Sequence, residues 1–189
     1  MTTEELGTSR IVNFLARFGG AAMESRLRRW LFDPGRTLRG ADIKAGQTVL
    51  EVGCGTGFFT LPAARMIGQG GRLIAMDPLS DYVDRVRKKV SDAGLNNVEV
   101  IRRDALNSGL PSATVDLVLL FGVVPFPTLP LGKLLPEMHR VLKAQGTLAV
   151  WLFPTTAGVP AAITRSGLFS ALAKRNGVYT YRRARGRDG

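Results

Sequence analysis

Twelve residues constrain this chain more than any others: Val49-Leu-Glu-Val-Gly-Cys-Gly-Thr-Gly-Phe-Phe-Thr60. Val49 to Val52 is apolar and β-branched, as a strand covered on both faces requires. Gly53, Gly55 and Gly57 then alternate with other residues, so the backbone can turn sharply and approach a ligand with no Cβ in the way. A helix follows, presenting free N–H groups and the positive end of its dipole to that ligand. The spacing departs from the dinucleotide pattern G-x-G-x-x-G. The third glycine comes one residue early, and Phe58 stands where Gly or Ala is needed. Glu51 also leads the loop, where a carboxylate would repel a pyrophosphate.

The same βα unit repeats along the chain. Gly68-Gln-Gly-Gly71 ends the first helix, and Arg72 to Asp77 is an apolar strand with an acid at its carboxyl end. In doubly wound sheets ligands bind beyond the carboxyl ends of strands, and an acid about twenty residues past the glycines can accept from ribose hydroxyls. A helix from Ser80 to Val90 puts Val83, Val86 and Val90 inward, and Arg85, Arg87, Lys88 and Lys89 on a solvated face. Val98 to Ile101 is a third strand, followed by Asp104-Ala105, and Thr114 to Phe121 is a fourth. The apolar loop Gly122-Val-Val-Pro-Phe-Pro-Thr128 comes next, then a helix from Leu129 to Leu142 interrupted by Pro136. Thr147 to Phe153 is the fifth strand. A helix across Ala161 to Lys174 and a last strand across Val178 to Tyr181 complete the pattern. It predicts an α/β fold with a doubly wound, mostly parallel sheet. Only one strand follows Lys174 in this reading, so six strands are expected, or a sheet completed by a partner.

Ahead of the first strand, Ile11, Val12, Phe14, Leu15 and Phe18, and then Met23, Leu27, Trp30 and Leu31, recur at helical spacing. They predict an N-terminal helical cap over residues 1–40, closed by Asp33-Pro34-Gly35. Residues 41–189 form the main domain.

At 189 residues one folding unit is expected. A single Cys and a single His exclude an internal disulfide and a clustered zinc site, so no metal is expected. Cys54 reads as a small side chain packed beneath the loop. The acidic, polar N-terminus does not resemble a secretory signal, and the apolar run Leu117–Leu131 is broken by Gly122 and three prolines. A cytoplasmic protein is expected, with a peripheral membrane position left open. Net charge is +11, with basic residues gathered near both ends. An anionic partner (RNA or a membrane surface) would explain them, and so would a basic solvated surface.

Four signals now stand in order: Glu51 with Gly53, Gly55 and Gly57; Asp77; Asp104; and Glu137-Met-His-Arg-Val-Leu-Lys-Ala-Gln-Gly146. Together they resemble the class I S-adenosylmethionine (SAM)-dependent methyltransferases. The likeness is greatest to the branch of ubiquinone/menaquinone-biosynthesis C-methyltransferases and bacterial phosphatidylethanolamine N-methyltransferases. It covers residues 44–153, and it implies a Rossmann-like methyltransferase sheet, here with a shortened C-terminal strand set. It implies SAM as cofactor and S-adenosylhomocysteine (SAH) as product. By resemblance Gly53, Gly55, Thr56 and Gly57 lie against the methionine portion, with Glu51 holding the loop. Asp77 binds the ribose, Pro78 and Leu79 flank the adenine, and Asp104 and Ala105 meet its amine and ring nitrogen. Phe121 and Gly122 offer carbonyls near the sulfonium.

No catalytic dyad stands out, and the catalytic residues stay unassigned. An activated methyl mainly needs alignment and exclusion of water. His139 reads as a packing or surface residue. Phe121-Gly-Val-Val-Pro-Phe126 lacks the Asn/Asp-Pro-Pro-Tyr/Phe of enzymes that methylate base amines or glutamine amides. Phe58, Phe59, Phe126 and the N-terminal helix suit an apolar acceptor instead. A methyltransferase of a small-molecule or lipid-like acceptor is therefore expected. Two alternatives stay open: an RNA methyltransferase using the basic termini, and a non-catalytic SAM-fold binding protein. A homodimer is equally left open.

Overall fold

A computed structural model describes residues 33–152 and 158–184. They form a seven-stranded sheet in the order β3-β2-β1-β4-β5-β7-β6. Strands β1 (Thr48–Val52), β2 (Arg72–Asp77), β3 (Val98–Arg102), β4 (Val115–Phe121) and β5 (Leu142–Trp151) run parallel. β6 (Phe169–Arg175) and β7 (Val178–Arg183) form a hairpin, with β7 antiparallel to β5.

Alternation along the central strands feeds two core layers. Leu50, Val52, Val118, Leu120, Leu148 and Val150 pack on one face under α4 (Leu131–Val141) and α5 (Gly158–Arg165). Val49, Leu117, Leu119 and Ala149 pack on the other, under α1 (Pro34–Gly40) and α2 (Thr60–Ile67). Val83, Val86 and Val90 of α3 (Ser80–Asp92) close the flank over Ala75 and Val100. Helix α4 continues through Pro136. The carbonyl that loses its partner there belongs to Gly132, which is exposed and open to water.

The expectation of six strands and a shortened C-terminus is overturned: the sheet has seven, the last two forming an antiparallel pair. The predicted helix across Ala161 to Lys174 stops at Arg165. Ser166 Oγ donates back to the Ile163 carbonyl, and Gly167 takes a φ of +72°. Strand β6 follows, exposed at six of its seven positions, and so carries no hydrophobic alternation. The hairpin turn is Asn176-Gly177, with φ of +50° and +78°. An Asn-Gly pair between two short runs is a strong hairpin signal, and it is the readable clue to β6.

The structure also starts a helix at the Asp33-Pro34-Gly35 that the sequence pattern reads as a helix end. Asp33 accepts from Gly35 N and Pro34 opens α1, so this pair starts a helix. Leu38 of α1 is buried beside Val49 and Val178. The two amphipathic segments before residue 32 lie outside the described residues.

Candidate functional site

Glu51, the glycine loop, Asp77, Asp104 and Phe121-Gly122 all lie at or just beyond the carboxyl ends of β1, β2, β3 and β4. Gly53 N and Cys54 N both donate to the Met76 carbonyl, at 2.8 and 3.0 Å, which tethers the loop to β2. Gly53, Gly55 and Gly57 all have positive φ, at +70°, +52° and +84°. A Cβ on Gly53 would stand 2.4 Å from Val123 Cγ1, so the apolar loop after β4 is seated directly on the glycine loop. Thr56 is buried. Its carbonyl accepts from Lys89 Nζ of α3 at 2.9 Å. The sequence pattern puts Lys89 on a solvated face, and a lysine in a charge run carries no mark of such a contact.

Two acids lie within this framework. Glu51 is only 3% exposed and Asp77 only 5%. Thr60 Oγ1 donates to Glu51 Oε2 at 2.6 Å. Burial pushes the Glu51 carboxyl up to about 8, against the lowering effect of Thr60, and the charge of Asp77 raises it further. Asp77 accepts from Gly55 N and Leu79 N, each at 3.0 Å. Burial pushes it up to about 6, with these two backbone donors opposing the rise. The carboxylate of Asp77, rather than Ser80, thus satisfies the amide at the start of α3; Leu79 is the cap residue and makes no side-chain bond of its own. Pro78 and Leu79 are half-buried beside it.

Asp104 is half-buried and spends Oδ1 on Leu106 N at 2.9 Å, so it shapes a turn, with buried Ala105 beside it. Phe121 is buried at the end of β4, and Gly122, with φ of +71°, donates to the Trp151 carbonyl. Cys54 is packed with Val83 and Val86, and burial raises its thiol, as expected of an inert side chain beneath the loop.

One expectation is corrected. Phe59 does not line the site's apolar side: it is 6% exposed and stacks edge-on against Phe121 and Trp151, with centroids 5.0 and 6.0 Å away. Phe58 is half-buried, and Phe126 is 53% exposed. The run from Glu137 to Gly146 is a structural clamp. The Glu137 carboxylate accepts from Ser108 N at 2.9 Å and from Arg140 Nε at 2.7 Å, and Arg140 Nη2 donates to the Leu110 carbonyl at 2.8 Å. His139 contacts the Ala184 carbonyl and the Phe169 ring, away from the carboxyl edge.

A family described as "Methyltransferase domain" matches residues 49–146, just over half of the chain. The chain belongs to this methyltransferase family. Among relatives, a demethylmenaquinone methyltransferase of Listeria monocytogenes serotype 4a is 34% identical over 114 residues, which is 60% of this chain and 47% of the relative. One of Oceanobacillus iheyensis with the same name is 30% identical over 122 residues, 64% and 49% of the two chains. The chain thus spans about half the length of these curated relatives. Among solved structures, a SAM-dependent methyltransferase from Aquifex aeolicus superposes with a TM-score of 0.73 at 26% identity, covering 86% of this chain and 95% of that one. A Methanococcus maripaludis structure at 15% identity, with a TM-score of 0.71 over 90% and 94% of the chains, shares the fold. By family and fold this is a class I methyltransferase domain with SAM as its cofactor. Among the described residues, no helix of the methyltransferase domain is long and apolar enough to cross a membrane.

Proposed function

We propose that this chain transfers a methyl group from SAM to an apolar, quinone-like small molecule. The residues fit the cofactor. The glycine loop, held at the carboxyl edge by Met76 and Val123, would take the methionine end, and two buried acids suit a ligand that brings positive charge. In this reading the loop from Gly53 to Gly57 binds the cofactor through its backbone. Asp77 has acceptor capacity left for ribose hydroxyls, since each carboxylate oxygen offers about two lone-pair sites. Asp104 keeps its second oxygen for the adenine amine, with Ala105 N beside it.

When bound, SAM supplies an electrophilic methyl on a positively charged sulfur. The chain's task is then to align an acceptor in line with that carbon and keep water out. The observation that carries the apolar reading is the loop from Gly122 to Pro130. Its Val123 rests on Gly53, Val124 is buried, and Phe126 is the exposed aromatic at its tip. Thr128 is the loop's one polar side chain, and the loop carries no acid or amide to select an amine. The relatives named as demethylmenaquinone methyltransferases support the same acceptor chemistry.

The test is methyl transfer from methyl-labelled SAM to three acceptors: a demethylated menaquinol in detergent micelles, small polar amines, and RNA. Label in the quinol supports the proposal. Label confined to polar amines or RNA overturns it, and the RNA outcome would turn attention to the exposed Arg165, Lys174, Arg175 and Arg182.

A further inference from the structure

The chain crosses from β3 to β4 through residues 103–114, which hold no helix and no strand, only an isolated bridge between Asp104 and Asn107. Such a segment cannot satisfy its backbone groups by a ladder of its own, so partners elsewhere decide its course. Its first turn is local: Asp104 Oδ1 accepts from Leu106 N, and the Asp104 carbonyl accepts from Asn107 N at 3.1 Å. From Ser108 onward the partners come from α4. Glu137 Oε1 accepts from both Ser108 N and Ser108 Oγ, and Ser108 is only 1% exposed. Arg140 donates to the Leu110 carbonyl and to Ser112 Oγ. The Arg140 and Val141 carbonyls accept from Ala113 N and Thr114 N, each at 2.9 Å. Arg140 also donates to both Glu137 oxygens, and this bonding holds the Glu137 carboxyl well below the usual carboxylate range, so the pair stays charged through neutral pH.

The Asp104 turn therefore stands between two anchors. On one side Arg103 N donates to the Asp77 carbonyl at 3.3 Å; on the other, one residue past the turn, Ser108 is held by Glu137. We propose that Glu137 and Arg140 are positioning residues for the base of the cofactor: by holding Ser108 they fix the Asp104-Ala105 edge in the place from which it reads the adenine. The inference rests on the SAM-binding reading above and names the part of the fold that sets its base selectivity. With Ser108 released, the turn is left to pivot on its Arg103 anchor. The second oxygen of Asp104 and Ala105 N then lose their alignment. The glycine loop, tethered to the Met76 carbonyl, keeps its own. The loss falls on the base and spares the methionine end.

Titration calorimetry compares SAH with S-inosylhomocysteine, in which a carbonyl replaces the adenine amine. The exchange turns the donor for Asp104 into an acceptor and puts a proton on the ring nitrogen that Ala105 N would meet. The wild type binds SAH at least about tenfold more tightly than the inosyl ligand. Glu137→Gln keeps an acceptor for Ser108 N but loses the pairing with Arg140, and Ser108→Ala removes the hydroxyl without touching either charge. Each lowers the preference by at least about threefold, chiefly through weaker SAH binding. Amide hydrogen exchange gives a second reading: Leu106 N and Asn107 N exchange faster in both variants, while Gly53 N and Cys54 N do not change. Equal losses for the two ligands, or a preference that survives in both variants, overturn the inference and leave the pair a purely structural clamp. If Glu137→Gln does not fold, Ser108→Ala decides by the same readings. A wild type that binds SAH without preference overturns the Asp104 assignment and this inference while leaving the cofactor in place. Failure to bind SAH overturns the cofactor reading as well.

Discussion

Replacing Glu51 with Gln should flatten the fall in stability that the wild type shows toward alkaline pH. The carboxyl is buried, and its folded-state value lies near 8 against about 4.5 in the unfolded chain. A raised acid binds its proton more tightly when folded. Its contribution is therefore fully present below the unfolded value and is lost as pH rises through the folded one. Over the whole window the loss is roughly 5 kcal/mol, at about 1.4 kcal/mol for each pH unit that separates the two values. About 2 kcal/mol of it falls between pH 6.5 and 8.5, where Asp77, raised only to about 6, is already mostly ionised. Gln fills the same volume and its Oε1 can still accept from Thr60 Oγ1. Its buried amide needs acceptors, at a pH-independent cost of about 1–3 kcal/mol if they are missing. The assay is urea unfolding of both proteins at pH 6.5, 7.5 and 8.5. The wild type should lose about 2 kcal/mol more than the variant over this span. Parallel curves would refute the reasoning, because the difference between the proteins isolates this one ionisation.

Three further substitutions probe the loop and its surroundings. Gly53→Ala puts a Cβ against Val123 at a φ of +70°; it should cost about 1–3 kcal/mol in unfolding experiments and weaken SAH binding at least tenfold. Lys89→Met removes the bond to the Thr56 carbonyl and should weaken SAH binding by about 1 kcal/mol, roughly fivefold, with Lys89→Arg restoring part of it; unchanged affinity in calorimetry would make the contact incidental. Phe126→Ser should leave SAH affinity intact and raise KM for an apolar acceptor severalfold, since the side chain is exposed and clear of the cofactor framework; a parallel loss of SAH binding would contradict that separation.

The central β1-loop-α2-β2 unit is legible in the sequence because its strands are buried on both faces and its glycines sit where positive φ is required. That pattern also locates Glu51 and Asp77, the two buried acids. The rest is hidden for local reasons. Strand β6 exposes six residues in a row, so burial imposes no period on it, and the Ala-rich stretch before it reads as helix. Asp33-Pro34 reads equally as a helix end and a helix start, and the cap bond from Gly35 N with the packing of Leu38 shows the start. Phe59 and Phe58 look alike in sequence, but one turns into the core against Phe121 and Trp151. Glu137 and Arg140 mark the family correctly although they clamp the segment around Ser108 to α4, away from the carboxyl edge.

Calorimetric titration of SAH into the wild type and Asp77→Ala tests the central claim most directly. Asp77 joins the loop, through Gly55 N, to the start of α3, through Leu79 N, and is the acid proposed to bind the ribose. Micromolar binding to the wild type, weakened at least tenfold (about 1.4 kcal/mol) in a variant that still unfolds cooperatively, is the predicted result. No binding to the wild type, or equal binding to a folded Asp77→Ala protein, would contradict the assignment of this edge of the sheet as the cofactor site.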